Sequence, residues 1–462
     1  MSTSSSLMSG ALPNVLGAIG STPIVRLNRV ASDVPATIYV KCEQLSPSGS
    51  AKDRMALHLI DEAEKRGVLT AGGTIVAATT GSAGAALAMI AAVRGYKCVA
   101  VMPDAVSQEK VASLRAWGAK VHLCPSAVDA DDPRSYQHVA KKLASETAGA
   151  FFADQHHSQD NPLGHERTTG PEIWAETKGE LDVLCVGLAT GGTATGAGRF
   201  LKSKKPGLKV IGVDPVGSVH YDAIKSGRAT KAFTRKVEGI GASFTPSTLD
   251  ASVLDDVIRV DDRECFLMAR ELVRLEGLYV GGAGGAAVAG AIKYARETQR
   301  AENILVIVPD SADKYLSRIF DDGWMRENGF LENTGLGTVA DLLKSKSEEI
   351  ITASAHDRVR DVIARMKAHG ISQLPVVDGT KLVGAVAEVD MLRYLVSGEH
   401  SLDSPVGALV ENDYATVSTR TSIESLQALL AEARMAIVVE GERIVGVATK
   451  IDLIDYLARR AS

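Results

Sequence analysis

Short apolar runs alternate with helical stretches over the first 330 residues. Ile38-Tyr39-Val40, Ile75-Val76-Ala77, Cys98–Met102, Lys120–Leu123, Leu181–Gly187, Val210–Val213 and Ile304–Val308 are largely apolar, several β-branched and bounded by Gly, Pro or Asp. Between them, MALHLIDEAEKRG (55–67) and ECFLMARELVRLEG (264–277) carry apolar residues at i, i+3, i+4 and i+7. Runs of the first kind suit strands covered on both faces, and runs of the second suit helices with one apolar face. Their alternation predicts an α/β fold of βα units around buried parallel sheet.

The texture changes after a linker at 331–337. Val376-Val377-Asp378-Gly379-Thr380-Lys381-Leu382-Val383-Gly384 matches Val438-Val439-Glu440-Gly441-Glu442-Arg443-Ile444-Val445-Gly446, an offset of 62 residues that also aligns Asp390 with Asp452. Each copy, about 338–399 and 404–462, reads as helix, strand, tight turn, strand, helix. Two copies form one module, because each half leaves a sheet face needing cover. The expected organisation is therefore a domain at 1–330 and a tandem module at 338–462.

Composition narrows the function. With 51 Lys+Arg against 56 Asp+Glu, the net charge of −5 gives no electrostatic reason for nucleic acid or an anionic membrane as partner. No run approaches the ~18 apolar residues of a membrane helix. The start MSTSSSLMSG lacks a basic stretch followed by an apolar one, so no signal peptide is expected. Cys42, Cys98, Cys124, Cys185 and Cys265 are scattered without a CxxC pair and read as small buried hydrophobes in a reducing cytoplasm.

Three motifs carry chemistry. Ser46–Arg54 leads directly into a helix whose first turn holds Lys52, where the helix dipole disfavours an ammonium and favours the free amine that binds an aldehyde cofactor. Ala78–Gly84 and Ala189–Gly196 each follow an apolar strand and open a helix. Small residues there gather backbone N–H groups at one point, an anion site for carboxylate or phosphate. Neither is a P-loop, since no Gly-Lys-Ser/Thr follows, and the Rossmann third glycine is missing. A surface lysine and two tight turns would account for each motif singly. Together they point to pyridoxal 5′-phosphate.

GSTPIVRL (Gly20–Leu27), PSGSAKDR (Pro47–Arg54), TTGSAG (Thr79–Gly84), ATGGTATG (Ala189–Gly196), GVDPVGS (Gly212–Ser218), VEGIG (Val237–Gly241) and PDSADKY (Pro309–Tyr315) occur in one order. In that order they resemble the cystathionine β-synthase family of fold-type II pyridoxal-phosphate enzymes, which includes cysteine synthase. The resemblance covers residues 10–330 and implies two α/β subdomains with the cofactor between them, in a homodimer. It implies that Lys52 binds the cofactor and shuttles the α-proton, that Thr190, Gly191, Gly192 and Thr193 hold its phosphate, and that Glu238 is an active-site acid. Thr79, Thr80 and Gly81, with Gln155, match the group that clamps the substrate carboxylate. Three places depart from the family: Ser82 and Ala83 replace an Asn at the ring oxygen and a carboxylate-binding Thr, Ala283 replaces the hydroxyl residue at the pyridine nitrogen, and Ala242 replaces a Tyr. No heme is expected. His156 and His157 lack accompanying carboxylates or cysteines, so no metal is expected either.

The implied reaction is β-replacement on a serine-type amino acid by a thiol such as homocysteine. Three alternatives stay open: a cysteine-synthase-like enzyme using O-acetylserine or O-phosphoserine, a specialised enzyme for another donor or nucleophile, and a decayed relative that senses ligand. In the tandem module, Gly384–Asp390 and Gly446–Asp452 resemble the adenosyl-binding signature of the family's C-terminal domains. A carboxylate can accept from both hydroxyls of a ribose diol. Only the second copy has a hydroxyl three residues before the Asp (Thr449 against Ala387), so Asp452 with Thr449 is the expected site and Asp390 the weaker one. S-adenosylmethionine is the expected ligand, with AMP or ATP next. The rival reading makes both aspartates helix caps.

Overall fold

The computed structural model describes residues 10–128, 132–228, 230–332, 336–344, 346, 350–379, 381–397, 401–441 and 443–461. The chain divides into two compact units, one ending at Phe320 and the other beginning at Asp321. Of the sequence expectations, the leader at Met1–Ser9, the linker residues Asn333–Gly335 and the turn residues Thr380 and Glu442 lie outside the described residues.

The first unit holds two sheets. One runs Ile24–Arg26, Thr37–Cys42, Asn303–Val308, Val183–Gly187, Lys209–Pro215, Asp256–Val260, parallel except for its first pair. The other runs Lys120–Cys124, Lys97–Pro103, Thr74–Ala78, Ala150–Phe152 and is parallel throughout. Every apolar run named above lies in or overlaps one of these strands. Three strands escape the pattern. Ile24–Arg26 and Ala150–Phe152 are only three residues long, and Asp256–Val260 carries Asp256 and Arg259 at its half-buried positions. The helices Ser82–Arg94 and Gly282–Thr298 are rich in Ala and Gly and buried on nearly all sides. Small side chains on every face allow helices to sit inside the fold. All five cysteines are free and buried. Among the described residues, no helix is long and apolar enough to cross a membrane.

A buried ionic network anchors the base of the helix Lys52–Lys65. Arg54 donates to Glu43 (2.8 Å, twice) and to Glu172 (2.8 and 2.9 Å). Lys41, fully buried, reaches Glu172 at 2.6 Å and Glu176 at 2.5 Å. Burial pushes the Glu172 carboxyl up, but the hydrogen bonds from Arg54 and Lys41 outweigh it and hold the group at about 2. A carboxyl depressed on folding stabilises the fold above its unfolded pKa, and that contribution fades as pH falls from about 4.5 towards 2. Glu172→Gln should therefore cost about 2–3 kcal/mol at pH 7. It should also flatten the acid limb of the melting-temperature profile over that window, which calorimetric melts at stepped pH will show.

The second unit is built from the two repeats. The first has the helix Val359–His369, the hairpin Gln373–Asp378 and Lys381–Ala387, and the helix Glu388–Val396. The second has Ile423–Glu432, Met435–Glu440 with Arg443–Thr449, and Lys450–Ala461. Both hairpins shift register at equivalent points, Val376/Val377 and Val438/Val439, so the repeat extends to its irregularities. Each three-stranded sheet also gains a short parallel strand, Ala353–Ser354 or Ala415–Val417. The helix Asp322–Glu327 belongs to this unit, where Glu327 accepts from Thr421 Oγ1 at 2.9 Å. The division therefore falls upstream of the expected linker.

Candidate active site

Lys52 is the first residue of its helix and is positioned by two motifs far apart in sequence. Ala51 N–H donates to Pro309 O (2.9 Å), Ser50 bridges Asp310, and Lys314 Nζ donates to Gly49 O (2.8 Å) and Ser48 O (3.1 Å). Asp53 receives Ser48 N–H at 2.8 Å and the Ser48 hydroxyl. The loop before Lys52 is thus held at both ends. Among the described residues no carboxylate or hydrogen-bond partner engages the amine, and desolvation lowers its pKa to about 8. Burial acts in the same direction as the helix dipole expected there from sequence.

The strand Thr74–Ala78 passes into the helix Ser82–Arg94 through Gly81 at φ +137, a backbone conformation that favours glycine. A Cβ there would also come within 2.7 Å of Lys110. Thr79, buried, spends its hydroxyl oxygen accepting from Gly81 and Gly84 N–H, both at 3.0 Å. It shapes the turn, while Thr80 is exposed and Ser82 half-buried at the helix start. Gln155 lies beside this turn, donating to Ala78 O at 3.0 Å. Ala83 is buried and presents only a methyl.

The third motif opens the helix Gly192–Lys204. Gly191 adopts φ +80, and a Cβ on Gly192 would stand 2.1 Å from Asn161 Oδ1. Among the described residues, nothing in the protein accepts from the N–H groups of Thr193 and Ala194. Asn161 Nδ2 bridges Gln155 O (2.7 Å) and Thr190 Oγ1 (3.2 Å), and His165 bridges Thr169 (2.9 Å) and Thr193 (3.1 Å). Burial lowers the pKa of His165 and draws that of His156 to about 4, and the Lys52 charge pushes both the same way. These links bring Lys52, the Thr79–Ala83 turn, Gln155 and the Thr190–Thr193 loop into one region. The loop offers unsatisfied backbone donors and two hydroxyls at the positive end of a 13-residue helix, with no carboxylate. That donor set fits a phosphate, and a partly deprotonated amine fits an aldehyde.

Glu238 pairs with Lys110 at 2.5 Å and with Arg318, so both its oxygens are engaged by cations. Ala283 is buried at the start of the helix Gly282–Thr298, next to Gly239 of the VEGIG segment. Asp310, whose pKa is raised by burial, accepts from Tyr315 OH (2.6 Å) and Gly284 N–H (3.0 Å). His156 and His157 pack against Phe244. Lys110, Asn161, His165 and Asp310 have no assigned role in the sequence reading. The spacing Asn161–His165 on one helix face, opposite the Gly-rich helix 192–204, was the available signal.

In the second unit both aspartates sit at the third residue of their helix and cap it. Asp390 accepts from Ala387 N–H (3.0 Å) and Asp452 from Thr449 N–H (2.7 Å). Each also meets a cation: Arg434 at 2.9 Å from Asp390, and Lys346 at 2.8 Å from Asp452. Thr449 Oγ1 donates to Asp452 itself (2.7 Å). A shallow, open depression adjoins Asp390, lined in part by Gln373, Asp413 and Arg434.

Residues 15–310 match the family model described as pyridoxal-phosphate dependent enzyme, and 339–397 and 406–459 match the CBS domain. The chain belongs to the pyridoxal-phosphate dependent enzymes, of the fold-type II α/β class, and carries a C-terminal pair of CBS domains. It is 36% identical to a cystathionine beta-synthase of Oryctolagus cuniculus and 34% to that of Dictyostelium discoideum; each alignment spans 97% of this chain, with 85% and 93% of the relative. Among solved structures it is similar to O-ureido-L-serine synthase (37% identity, TM-score 0.63, 68% of this chain and 96% of that one). It is also similar to a hydrogen sulfide-producing enzyme from Fusobacterium nucleatum (34%, TM-score 0.62, 66% and 100%).

Proposed function

We infer that the chain catalyses β-replacement on a serine-type amino acid, forming cystathionine with homocysteine as the thiol. The single observation that carries this reading is Lys52. Its amine is desolvated and unpaired, and its charge reaches His165, which holds Thr193 of an N–H-rich loop suited to phosphate. Pyridoxal phosphate bound there supplies an electron sink for charge developing at the substrate α-carbon. The N–H groups of Thr193 and Ala194, with the Thr190 and Thr193 hydroxyls, hold its phosphate. Lys52 takes the α-proton and returns it after the nucleophile has added. The turn Thr79–Ala83 and Gln155 orient the substrate carboxylate, Ser82 and Ala283 border the cofactor ring, and Glu238 acts through Lys110. Similarity to cystathionine beta-synthases over 97% of the chain supports this donor and nucleophile. Similarity to O-ureido-L-serine synthase favours a second reading, β-replacement with a different nucleophile, and the methyls at Ala83, Ala242 and Ala283 suit an altered pocket. Mass spectrometry of products from serine, O-acetylserine and O-phosphoserine, each with homocysteine, cysteine and sulfide, separates the two.

The same reading assigns the CBS pair to an adenosyl ligand, S-adenosylmethionine or an adenine nucleotide, with Asp452 reading the ribose diol in place of Lys346. Asp452→Ala should weaken calorimetric binding of S-adenosylmethionine, AMP or ATP about 10–100-fold, the loss expected when a charged hydrogen-bond partner is removed. A larger loss in Asp390→Ala would move the site to the depression beside it. The similarity to cystathionine beta-synthases supports a homodimer through the catalytic part, in the cytoplasm.

A further inference from the structure

Arg235 precedes the VEGIG segment, and its backbone position is well defined. Asp262 accepts from the N–H groups of Lys236 (2.6 Å) and Val237 (2.9 Å) just after it. Its guanidinium is nonetheless scarcely used. Nε donates to Ile240 O at a long 3.4 Å; among the described residues, the two terminal nitrogens have no acceptor and no carboxylate lies within ion-pair distance. The carboxylates nearest in effect are Asp262, taken by the two N–H groups just named, and Asp214, whose Oδ2 accepts from Tyr221 N–H at 2.8 Å while its buried Oδ1 has no hydrogen-bond partner among the described residues. The group is desolvated all the same, which leaves a half-buried cation with open donors.

Its location is that of the active site. Gly241 N–H donates to Leu188 O, the residue leading into the Ala189–Gly196 loop, and a Cβ on Gly241 would stand 2.8 Å from Arg235 Nε. Tyr136, at the start of the helix Tyr136–Glu146, lies within electrostatic reach of Arg235 and packs on the strand that ends at Ala78. The guanidinium therefore stands where the two subdomains face each other. Beside it Ala242, whose N–H is taken by Ser218 Oγ at 2.9 Å, contributes only a methyl.

We propose that Arg235 is a specificity-determining residue that receives an anionic group of the substrates other than the α-carboxylate of the donor. A planar guanidinium with two free N–H edges is matched to a carboxylate or phosphate. Two sources offer that chemistry: the carboxylate of an amino-acid thiol, and a phosphate leaving group on the donor. The proposal rests on the β-replacement reading and names the substrate class it takes.

The test uses full-length, cofactor-loaded wild type, Arg235→Gln and Arg235→Lys. Rates are compared for O-phosphoserine against O-acetylserine, each with sulfide, and for homocysteine against sulfide, each with O-acetylserine. In Arg235→Gln the preference for the anionic member of one pair should fall on the order of 10–100-fold, through KM rather than kcat, with partial recovery in Arg235→Lys. A fall confined to the first pair assigns the phosphate, and one confined to the second assigns the thiol's carboxylate. Equal loss for all substrates with a lowered melting temperature would make Arg235 a structural partner of Asp214, and lost cofactor retention without a change in preference would make it a cofactor ligand. Either result overturns the proposal, as does no change. If no pair turns over, the β-replacement reading fails. Calorimetric binding of O-phosphoserine against O-acetylserine, and of homocysteine against its decarboxylated analogue 3-aminopropane-1-thiol, to wild type and Arg235→Gln then decides separately whether Arg235 reads an anion.

Discussion

Lys52→Met is expected to lower turnover on the order of 10³-fold or more and to abolish the visible absorbance of cofactor retained after gel filtration, because in the proposed reaction one amine both binds the aldehyde and moves the α-proton. The same variant should be more stable than wild type when both are free of cofactor. In the fold, desolvation brings the Lys52 amine to about 8, from 10.5 in the unfolded chain. Between those values the unfolded chain binds more protons, so the cost is complete below pH 8 and vanishes as pH rises through 10.5. Methionine keeps the volume and removes the charge, for a gain of about 1–3 kcal/mol at pH 7. Melts of cofactor-free protein at pH 7 and pH 10.5 check this, with the advantage present at the first and gone at the second. Undiminished activity in Lys52→Met would overturn the site.

The second large effect belongs to Gly196. Its hydrogen faces the helix Asp160–Arg167, where a Cβ would stand 2.0 Å from Pro162 O and 2.8 Å from Glu166 N–H. Those are backbone atoms of a packed helix and have nowhere to go. Gly196→Ala should cost about 3 kcal/mol or more and, by separating the two helices, pull Asn161 and His165 away from Thr190 and Thr193. Cofactor affinity should fall with melting temperature. Gly207→Ala is the control, since nothing lies within 4 Å of its Cβ position. Equal melting temperatures for the two variants would mean that the helices separate freely.

Much of the site was legible in local sequence. Lys52 could be read from its motif because a small-residue loop running into a helix start is a local arrangement. The loop proposed for the phosphate could be read as a tight strand-to-helix turn because Gly191 at positive φ and the Cβ-intolerant Gly192 leave their mark as glycines. The tandem repeat was legible because a hairpin with a tight glycine turn and a bulge is specified within a short stretch, and it recurs. The residues that escaped are single polar side chains whose partners are distant in sequence. His165 meets Thr193, Lys110 meets Glu238, and Lys314 meets the loop before Lys52. A lone His or Lys on a helix has no pattern to separate it from a solvated one.

Sequence alone determined the α/β class, the strand-to-helix turns, the lysine and the doubled module, all consequences of periodicity, backbone sterics and ordered motifs. Tertiary structure decided the electrostatics. It buried the Lys52 amine, which lowers its pKa, and it set cations against both CBS aspartates. It also left Arg235 with open donors between the two subdomains. The physical reason is that desolvation and charge pairing depend on which surfaces are removed from water together, and only long-range packing determines that.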